Sequence, residues 1–254
     1  MFHALKTLTI LDPACGSGAF PIGMLQKIVY IFRKVDNKTE LWRDDQMSGA
    51  DYEFQEIVRK KLEAENLDYI RKLCVIRKSI YGVDIQTIAT EIAKLRCFLS
   101  IIIEDSVDDT KPNREIHPLP NLDFKFISAN SLVPLEDVLG GIMPTEVDEK
   151  LKKLERVRER YFQADARQRQ ELKSEFISLQ QDILLILIRN GFGVDGRAGQ
   201  LSAWKPFEIA SAEWFDPNWM FGVESFDIVI ANPPYIHLEH MKEQSCFVTP
   251  LNST

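Results

Sequence analysis

The first residues with a chemical pattern form the segment LDPACGSGAF at positions 11–20. An apolar segment precedes it and a helical pattern follows it, which is the setting in which a glycine loop binds a nucleotide. Gly16 and Gly18 allow a tight turn and a close approach of the backbone to a ligand. Asp12, where the apolar segment ends, could receive a ligand ammonium or hydroxyl group. Taken alone, the loop is also compatible with a purely structural turn.

The spacing of this loop excludes two common nucleotide-binding sequences. Pro21 stands where a dinucleotide-binding GxGxxG sequence has its third glycine. No GK[ST] sequence follows the loop, so a Walker-type phosphate loop is excluded as well.

Two further polar residues follow predicted strands. Asp84 suits the two ribose hydroxyls of an adenosine-type ligand, although it lies 66 residues after Gly18 where about 20 are usual. A charged helical insertion at about 36–78 accounts for the difference. The amide of Asn130 could meet an adenine ring edge. The alternative for Asp84 is a carboxylate that merely ends a strand, and the alternative for Asn130 is a turn or helix cap.

The tetrapeptide Asn232-Pro233-Pro234-Tyr235 follows the apolar segment FDIVIA. An exocyclic amine of adenine is a poor nucleophile, because its lone pair is delocalised into the ring. The side-chain oxygen of Asn232 and the carbonyl of Pro233 could accept its two N–H groups and favour the pyramidal, nucleophilic nitrogen. The two prolines stiffen the loop, and Tyr235 could stack on a base that has left the helix. A rigid turn is the alternative interpretation.

Hydrophobic periodicity places these motifs on an α/β fold with a mostly parallel sheet. The pattern predicts a helix that begins at Pro21, an amphipathic helix over 88–102, two long charged helices over about 144–190 with a turn near Asp165, and a loop over 191–200. It predicts buried strands over 5–11, 79–83, 123–129 and 226–232.

Composition predicts a cytoplasmic protein without a membrane span, because no apolar stretch is long enough to cross a bilayer. The four cysteines form no CxxC pair, so we expect small buried residues and no zinc knuckle or disulfide framework. His237 and His240 are predicted to be solvated loop residues, and no metal is expected. The net charge of −7 is unfavourable for unaided DNA binding.

The pair DPACGSGAF and NPPY, each after a strand and in that order, resembles the adenine-specific DNA methyltransferases of restriction-modification systems. The resemblance is strongest to the type IIG (type IIS) polypeptides, in which cleavage, methylation and recognition share one chain. It covers residues 5–35, 79–135 and 200–240. It implies a Rossmann-like fold that uses S-adenosylmethionine to methylate an adenine flipped out of double-stranded DNA.

The resemblance also implies roles for individual residues. The methionine end of the cofactor would be surrounded by Asp12, Ala14, Cys15, Gly16 and Phe20, with Gly18 in the same loop. Asp84 and Ile85 would hold the ribose and flank the adenine, and Asn130 would contact the adenine edge. Residues 232–235 would be catalytic, and Asn at their head indicates adenine rather than cytosine.

Members of this family continue beyond NPPY with three more strands and a target-recognition region, and they carry a helix before the glycine loop. We therefore expect a single, incomplete catalytic domain over residues 1–254, cut after the fourth strand. It would need a recognition region or a partner chain and, on its own, would bind cofactor weakly and methylate nothing. Protein-glutamine or rRNA methylation, and an inactive remnant, are the alternative functions.

Overall fold

A computed structural model describes residues 5, 7–36, 52–63, 66–105, 109–110, 119–135, 144–193 and 196–233. Within these ranges, four parallel strands form one sheet in the order β3-β2-β1-β4. The strands are β1 (Ile10–Asp12), β2 (Ile80–Asp84), β3 (Phe126–Ser128) and β4 (Ile228–Val229). The helices are α1 (Ala19–Val35), α2 (Tyr52–Glu63), α3 (Leu67–Lys78), α4 (Thr87–Ile102), α5 (Thr145–Gln163), α6 (Ala166–Arg189), α7 (Arg197–Ala203) and α8 (Pro217–Phe221).

The sheet is the middle of three layers. Helices α1 to α4 cover one face, where Ile10, Ile80 and Phe126 point into their core. The hairpin of α5 and α6 covers the other face with α7 and an aromatic-rich segment, and Tyr81 and Val83 point into that core. The alternation of strand residues between two apolar layers is the signature of a parallel sheet that is buried on both faces. The predicted α/β, Rossmann-like architecture is confirmed.

Several predicted boundaries were wrong, because apolar sequence extends beyond the residues that pair. β1 begins at Ile10 rather than at residue 5, and β4 pairs over two residues only. In the predicted third strand, residues 123–125 form a turn closed by the bond from Lys125 N to Leu122 O. Helix α1 begins at Ala19, and Pro21 lies in its first turn, where an N–H would have no helical partner.

The segment at 36–78 is helical where it is described, but α3 is a core element rather than a peripheral insertion. All residues from Tyr69 to Arg77 are buried, because α3 lies between α1 and α4. Its cationic residues keep partners inside: Lys72 Nζ donates to Ser100 O at 2.8 Å and to Glu104 Oε1 at 2.7 Å. The charged composition therefore did not indicate that this segment contains a buried helix, which packs between α1 and α4.

The predicted pair of charged helices is confirmed. Asp165 begins α6 with a capping box, in which its side chain accepts from Arg167 N and Gln168 N while Gln168 Oε1 accepts from Asp165 N. The stripe of α6 is buried at Leu172, Phe176, Leu179 and Ile183. The loop expected over 191–200 was wrong in its second half, because α7 begins at Arg197 and buries Ala198 and Leu201.

Helix α4 has the opposite orientation to the one that its apolar stripe suggests. Small residues, among them Ala93 and Cys97, face the sheet and are buried. The five large aliphatic residues of the stripe are all exposed: Ile88, Ile92, Leu95, Leu99 and Ile102. The close approach of α4 to the glycine loop explains this orientation, since a Cβ on Gly18 would lie 2.9 Å from Ala93 Cβ.

Three of the four cysteines are buried free thiols, as predicted: Cys15, Cys74 and Cys97. Cys246, His237 and His240 lie outside the described residues. Among the described helices, none is both long and apolar enough to cross a membrane.

Gly82 in the middle of β2 is required for the contact between the sheet and the glycine loop. A Cβ there would lie 2.7 Å from Phe126 Cδ1 and 3.0 Å from Cys15 Sγ. We expect Gly82→Ala to lower the free energy of unfolding by about 1–3 kcal/mol through overpacking. Gly23→Ala is the matched control: a Cβ at this helical position meets nothing within 4 Å, so it should raise stability by about 0.5–1 kcal/mol. Urea unfolding of both variants measures the difference, and equal stabilities would contradict the packing account.

Candidate functional site

The loop between β1 and α1 is a compact turn with a carboxylate beneath it. Gly16 and Gly18 have φ values of +52° and +84°, in the left-handed region that favours glycine. Gly18 N donates to Cys15 O at 2.8 Å. Asp12 is buried below this turn, and its Oδ1 accepts from Ala14 N at 3.1 Å. The backbone of the loop is therefore prepositioned around the Asp12 carboxylate.

Asp84 fastens this loop to the end of β2. Its Oδ2 accepts from Gly16 N at 2.8 Å, and its Oδ1 accepts from Gln86 N at 2.9 Å. A second bond joins the same elements, because Cys15 N donates to Val83 O at 2.9 Å. Each carboxylate oxygen can accept a second donor, so these contacts leave acceptor capacity for a ligand hydroxyl.

Cys15 lies in the predicted site sequence, but its side chain belongs to the core. The thiol is buried beside Gly82 and Phe126, and burial raises its pKa far above the usual value. Only the backbone of Cys15 is thus available to a ligand. Gly82, whose missing Cβ makes room for this thiol, was missed by sequence reasoning, because a glycine within a strand carries no chemical signal.

Asn130 follows β3 and forms a turn, which was the alternative to the adenine contact predicted for it. Its Oδ1 accepts from Leu132 N at 3.1 Å, and its backbone N donates to Ala212 O at 2.9 Å. The neighbouring Ser131 was not predicted as a site residue, yet its Oγ donates to Pro13 O at 2.7 Å. This bond joins the loop after β3 to the glycine loop, and so draws Asn130 towards the same edge of the sheet.

Two predicted site residues present apolar surface at this edge. Phe20, in the first turn of α1, is 39% exposed, and Ile85, directly after Asp84, is 60% exposed. Gly16 lies in open surroundings, since a Cβ there would meet nothing within 4 Å. The edge therefore offers two exposed apolar side chains and an uncovered stretch of backbone near the buried Asp12 and the half-buried Asp84.

The fourth strand brings Asn232 to the same edge. β4 pairs with β1 in parallel, with Ile228 opposite Ile10 and Val229 opposite Leu11, so Asn232 follows at the same end of the sheet as the glycine loop. Asn232 and Pro233 are exposed, whereas Pro234 and Tyr235 lie outside the described residues.

A contact between Asp227 and Thr9, which sequence reasoning missed, fixes the register of β4 against β1. Asp227 Oδ2 accepts from Thr9 N at 2.8 Å and from Thr9 Oγ1 at 3.0 Å. These hydrogen bonds, first of all the one from the Thr9 backbone, lower the pKa of Asp227. The carboxylate therefore stays ionised in its role as the anchor at the start of β4.

The edge of the sheet is electrostatically negative. The pKa of Asp12 is raised to about 6, chiefly by burial. The hydrogen bond from Ala14 N opposes this rise, and the nearby charge of Asp84 adds to it. Asp12 Oδ2 is buried and has no hydrogen-bond partner among the described residues. A buried carboxylate oxygen without a donor is costly, and a cationic or hydrogen-bonding ligand would offset that cost. Asp12 and Asp84 together thus favour a positively charged ligand.

A parallel sheet with a glycine loop after its first strand and an acidic residue after its second has the Rossmann-like methyltransferase fold. Residues 78–253, more than half of the chain, match the family described as Eco57I restriction-modification methylase, and the chain belongs to that family. The match begins after the glycine loop, so Asp12 and its turn lie outside it.

A protein of Methanocaldococcus jannaschii, whose name describes a type II restriction enzyme and methyltransferase, is similar to this chain. The two are 26% identical over 290 aligned residues. The alignment covers 92% of this chain and 22% of that protein, so the chain spans less than a quarter of its relative's length. No solved structure is significantly similar to this chain.

The raised pKa of Asp12 makes its ionisation a cost to folding. A carboxyl whose pKa is higher in the folded state than its unfolded value of 3.8 destabilises the fold at pH values above about 6, and that cost disappears as the pH falls below the unfolded value. Asn keeps an acceptor for Ala14 N without the charge. We expect Asp12→Asn to raise the free energy of unfolding by about 1–2 kcal/mol at pH 8, discounted for solvent screening.

Thermal unfolding of wild type and Asp12→Asn across this pH range measures the effect. The two midpoints should converge at about pH 3 and below, where the carboxyl of wild type is mostly protonated in both states. A variant that is less stable than wild type at every pH would show instead that the ionised carboxylate supports the loop.

Proposed function

We propose that this chain transfers a methyl group from S-adenosylmethionine to the exocyclic amino group of adenine in DNA, as part of a restriction-modification system. The single observation that carries the proposal is that Asp12, Asp84 and Asn232 stand at or just beyond the carboxyl ends of the neighbouring strands β1, β2 and β4. Membership of a restriction-modification methylase family supports DNA as the substrate.

The residues at the edge fit S-adenosylmethionine, which carries an ammonium and a sulfonium charge. The free Oδ2 of Asp12 would accept from the ammonium group. Asp84 would accept from the ribose hydroxyls with the lone pairs that Gly16 N and Gln86 N leave. Ile85 and Phe20 offer apolar surface for the adenine and for the methionine chain, and Asn130 would approach the adenine edge. Two carboxylates stabilise the cation but would repel an anionic nucleotide phosphate.

The bound cofactor supplies an electrophilic methyl group on a sulfonium. The chain's own residues prepare the acceptor. Asn232 Oδ1 and the Pro233 carbonyl would accept the two N–H groups of the adenine amine and increase its nucleophilicity as the new bond forms. Pro233 and Pro234 restrict the loop, so the acceptors need little reorganisation. Tyr235 would stack on the flipped base. Asn at the head of this sequence supports adenine as the target.

Double-stranded DNA is a demanding partner for an acidic chain. With a net charge of −7, neutralisation of phosphates is weak, so we propose that a target-recognition region or a partner chain holds the duplex. As a DNA-modifying enzyme, the protein would act in the cytoplasm.

Calorimetric titration with S-adenosylmethionine tests the cofactor site. We expect saturable binding that weakens as the pH falls through about 6, since protonation of Asp12 removes the acceptor for the ammonium group. Asp12→Ala and Asp84→Ala should lower the affinity about tenfold or more. Asp148→Ala, in the first turn of α5 on the other face of the sheet, is the matched control. Equal affinity in all four proteins would contradict the assignment.

The identity of the methylated product tests the acceptor. With protein in excess, labelled cofactor and mixed-sequence duplex DNA at low salt, conditions that favour duplex binding without a recognition region, the label should appear in N6-methyladenine, whereas no transfer at all would support the inactive fragment expected from the sequence. Asn232→Ala should slow the transfer about 100-fold or more without loss of cofactor affinity, whereas Asn190→Ala, which changes the residue after α6, should leave it unchanged. Label in cytosine, in rRNA or in protein glutamine would contradict adenine as the acceptor.

A further inference from the structure

An aliphatic face of α4 points away from the rest of the molecule. The exposed fractions are 69% for Ile88, 43% for Ile92, 54% for Leu95, 51% for Leu99 and 47% for Ile102. We refer to these five residues as the α4 face. The opposite side of the helix, with Ala93 and Cys97, packs on the sheet. The core formed by the described residues therefore does not use the α4 face, and a contiguous aliphatic surface of this kind marks an interaction site.

The spacing of the α4 face indicates what kind of surface would cover it. Its members follow one another at intervals of 4, 3, 4 and 3 residues, which is the a/d pattern of a two-stranded coiled coil. Ile88, Leu95 and Ile102 occupy d positions, and Ile92 and Leu99 occupy a positions. Such a seam receives the side chains of another helix as knobs into holes, whereas a small ligand would need a concave pocket.

The charges beside the seam favour a second copy of the same helix in parallel orientation. In this heptad register Glu91 is a g residue and Arg96 is the e residue five positions later. Parallel coiled coils bring a g residue beside the e residue that follows it on the partner helix. Glu91 of each copy would thus meet Arg96 of the other, twice across a two-fold axis. An antiparallel pair would instead place Arg96 on the side that carries Arg96 of the other copy.

Both side chains are accessible for this exchange. Glu91 forms an ion pair with Lys94 on its own helix, where its side chain is 49% exposed. Arg96 is exposed and donates to Ser17 O and Ser17 Oγ at 3.2 and 3.3 Å. These are solvent-facing contacts that a neighbouring copy can replace or share.

We propose that two copies of this chain associate through the α4 face in a parallel, two-fold arrangement. The axis then runs along α4, which is antiparallel to the strands because it connects the parallel strands β2 and β3. The strands of both copies point in the same direction as a result. Both edges that carry Asp12 and Asp84 face the same side of the dimer.

Analytical ultracentrifugation over a wide range of protein concentration tests the association. Wild type is expected to pass from monomer to dimer, and Leu95→Asp to remain monomeric at the highest concentration. Leu185→Asp is the matched control, since Leu185 (64% exposed) is an exposed leucine like Leu95 (54%) but lies on α6, at the opposite face of the sheet. A wild type that stays monomeric throughout, or a loss of dimer in both variants, would overturn the proposal.

Disulfide trapping tests the orientation. Residues at matching a or d positions of a parallel pair come close enough for a disulfide, so Ile88→Cys should oxidise to a covalent homodimer, and Leu99→Cys likewise. In an equimolar mixture of the two variants, the 88–99 product should be absent, because only an antiparallel pair places a d residue beside an a residue of the partner. A mixture dominated by that product would show an antiparallel pair and overturn the arrangement. Wild type under the same oxidant controls for Cys246, because Cys15, Cys74 and Cys97 are buried.

Charge reversal gives a third, independent readout. Glu91→Arg alone and Arg96→Glu alone should each weaken the dimer, because each creates two repulsive pairs. The double variant Glu91→Arg/Arg96→Glu should recover at least part of the affinity, as the pairs are restored with opposite polarity. No recovery in the double variant, when its circular dichroism shows a folded protein, would contradict the pairing.

Discussion

The carboxylate of Asp84 accepts hydrogen bonds from Gly16 N in the loop after β1 and from Gln86 N before α4. Three elements therefore meet at one side chain: the glycine loop, the end of β2 and the start of the helix that follows. The neighbouring bond from Cys15 N to Val83 O fixes the same junction from the backbone. A parallel sheet brings its strand ends to one edge, and these side-chain and backbone hydrogen bonds fix the loops there relative to one another.

The rest of the site depends on how closely this junction packs. Gly82 leaves room for the Cys15 thiol, and Gly18 lets α4 approach within contact distance through Ala93. Close approach at Ala93 directs the small side of α4 inwards and its aliphatic side outwards. The same packing buries Asp12 below the turn with one carboxylate oxygen unpartnered among the described residues. The close packing around the glycine loop thus has two consequences. The ionised Asp12 carboxylate lowers the stability of the fold, and the aliphatic side of α4 stays uncovered.

The placement of the edge residues along the strands was more predictable from the sequence than their packing. Asp12, Asp84 and Asn232 were predicted from motifs whose residue types have a chemical meaning, and parallel topology brings strand ends together wherever the strands begin. Burial was harder to predict, because hydrophobic periodicity shows that a helix has an apolar side but not which side meets the sheet. In α4 the small residues took that place.

The charged residues of α3 likewise gave a wrong expectation about burial. Arg71, Lys72 and Arg77 suggest a solvated helix, yet they are buried because their long side chains reach polar partners while their apolar stems pack in the core. Gly82, Ser131 and Asp227 act through distant partners that topology alone reveals, so no local sequence signal marked them. For Asn130 the sequence left both a ligand contact and a turn open. The hydrogen bond to Leu132 N shows the turn.

We propose that this edge of the sheet binds the methyl donor through two separate carboxylates, Asp12 for the ammonium group and Asp84 for the ribose hydroxyls. A crystal structure of the chain with S-adenosylhomocysteine, the demethylated product, tests it most directly. We expect the amino group to lie within hydrogen-bond distance of Asp12 Oδ2. The ribose hydroxyls should donate to Asp84, and the sulfur should face Asn232. Density for the ligand elsewhere, or at this edge with the amino group remote from Asp12, would contradict it.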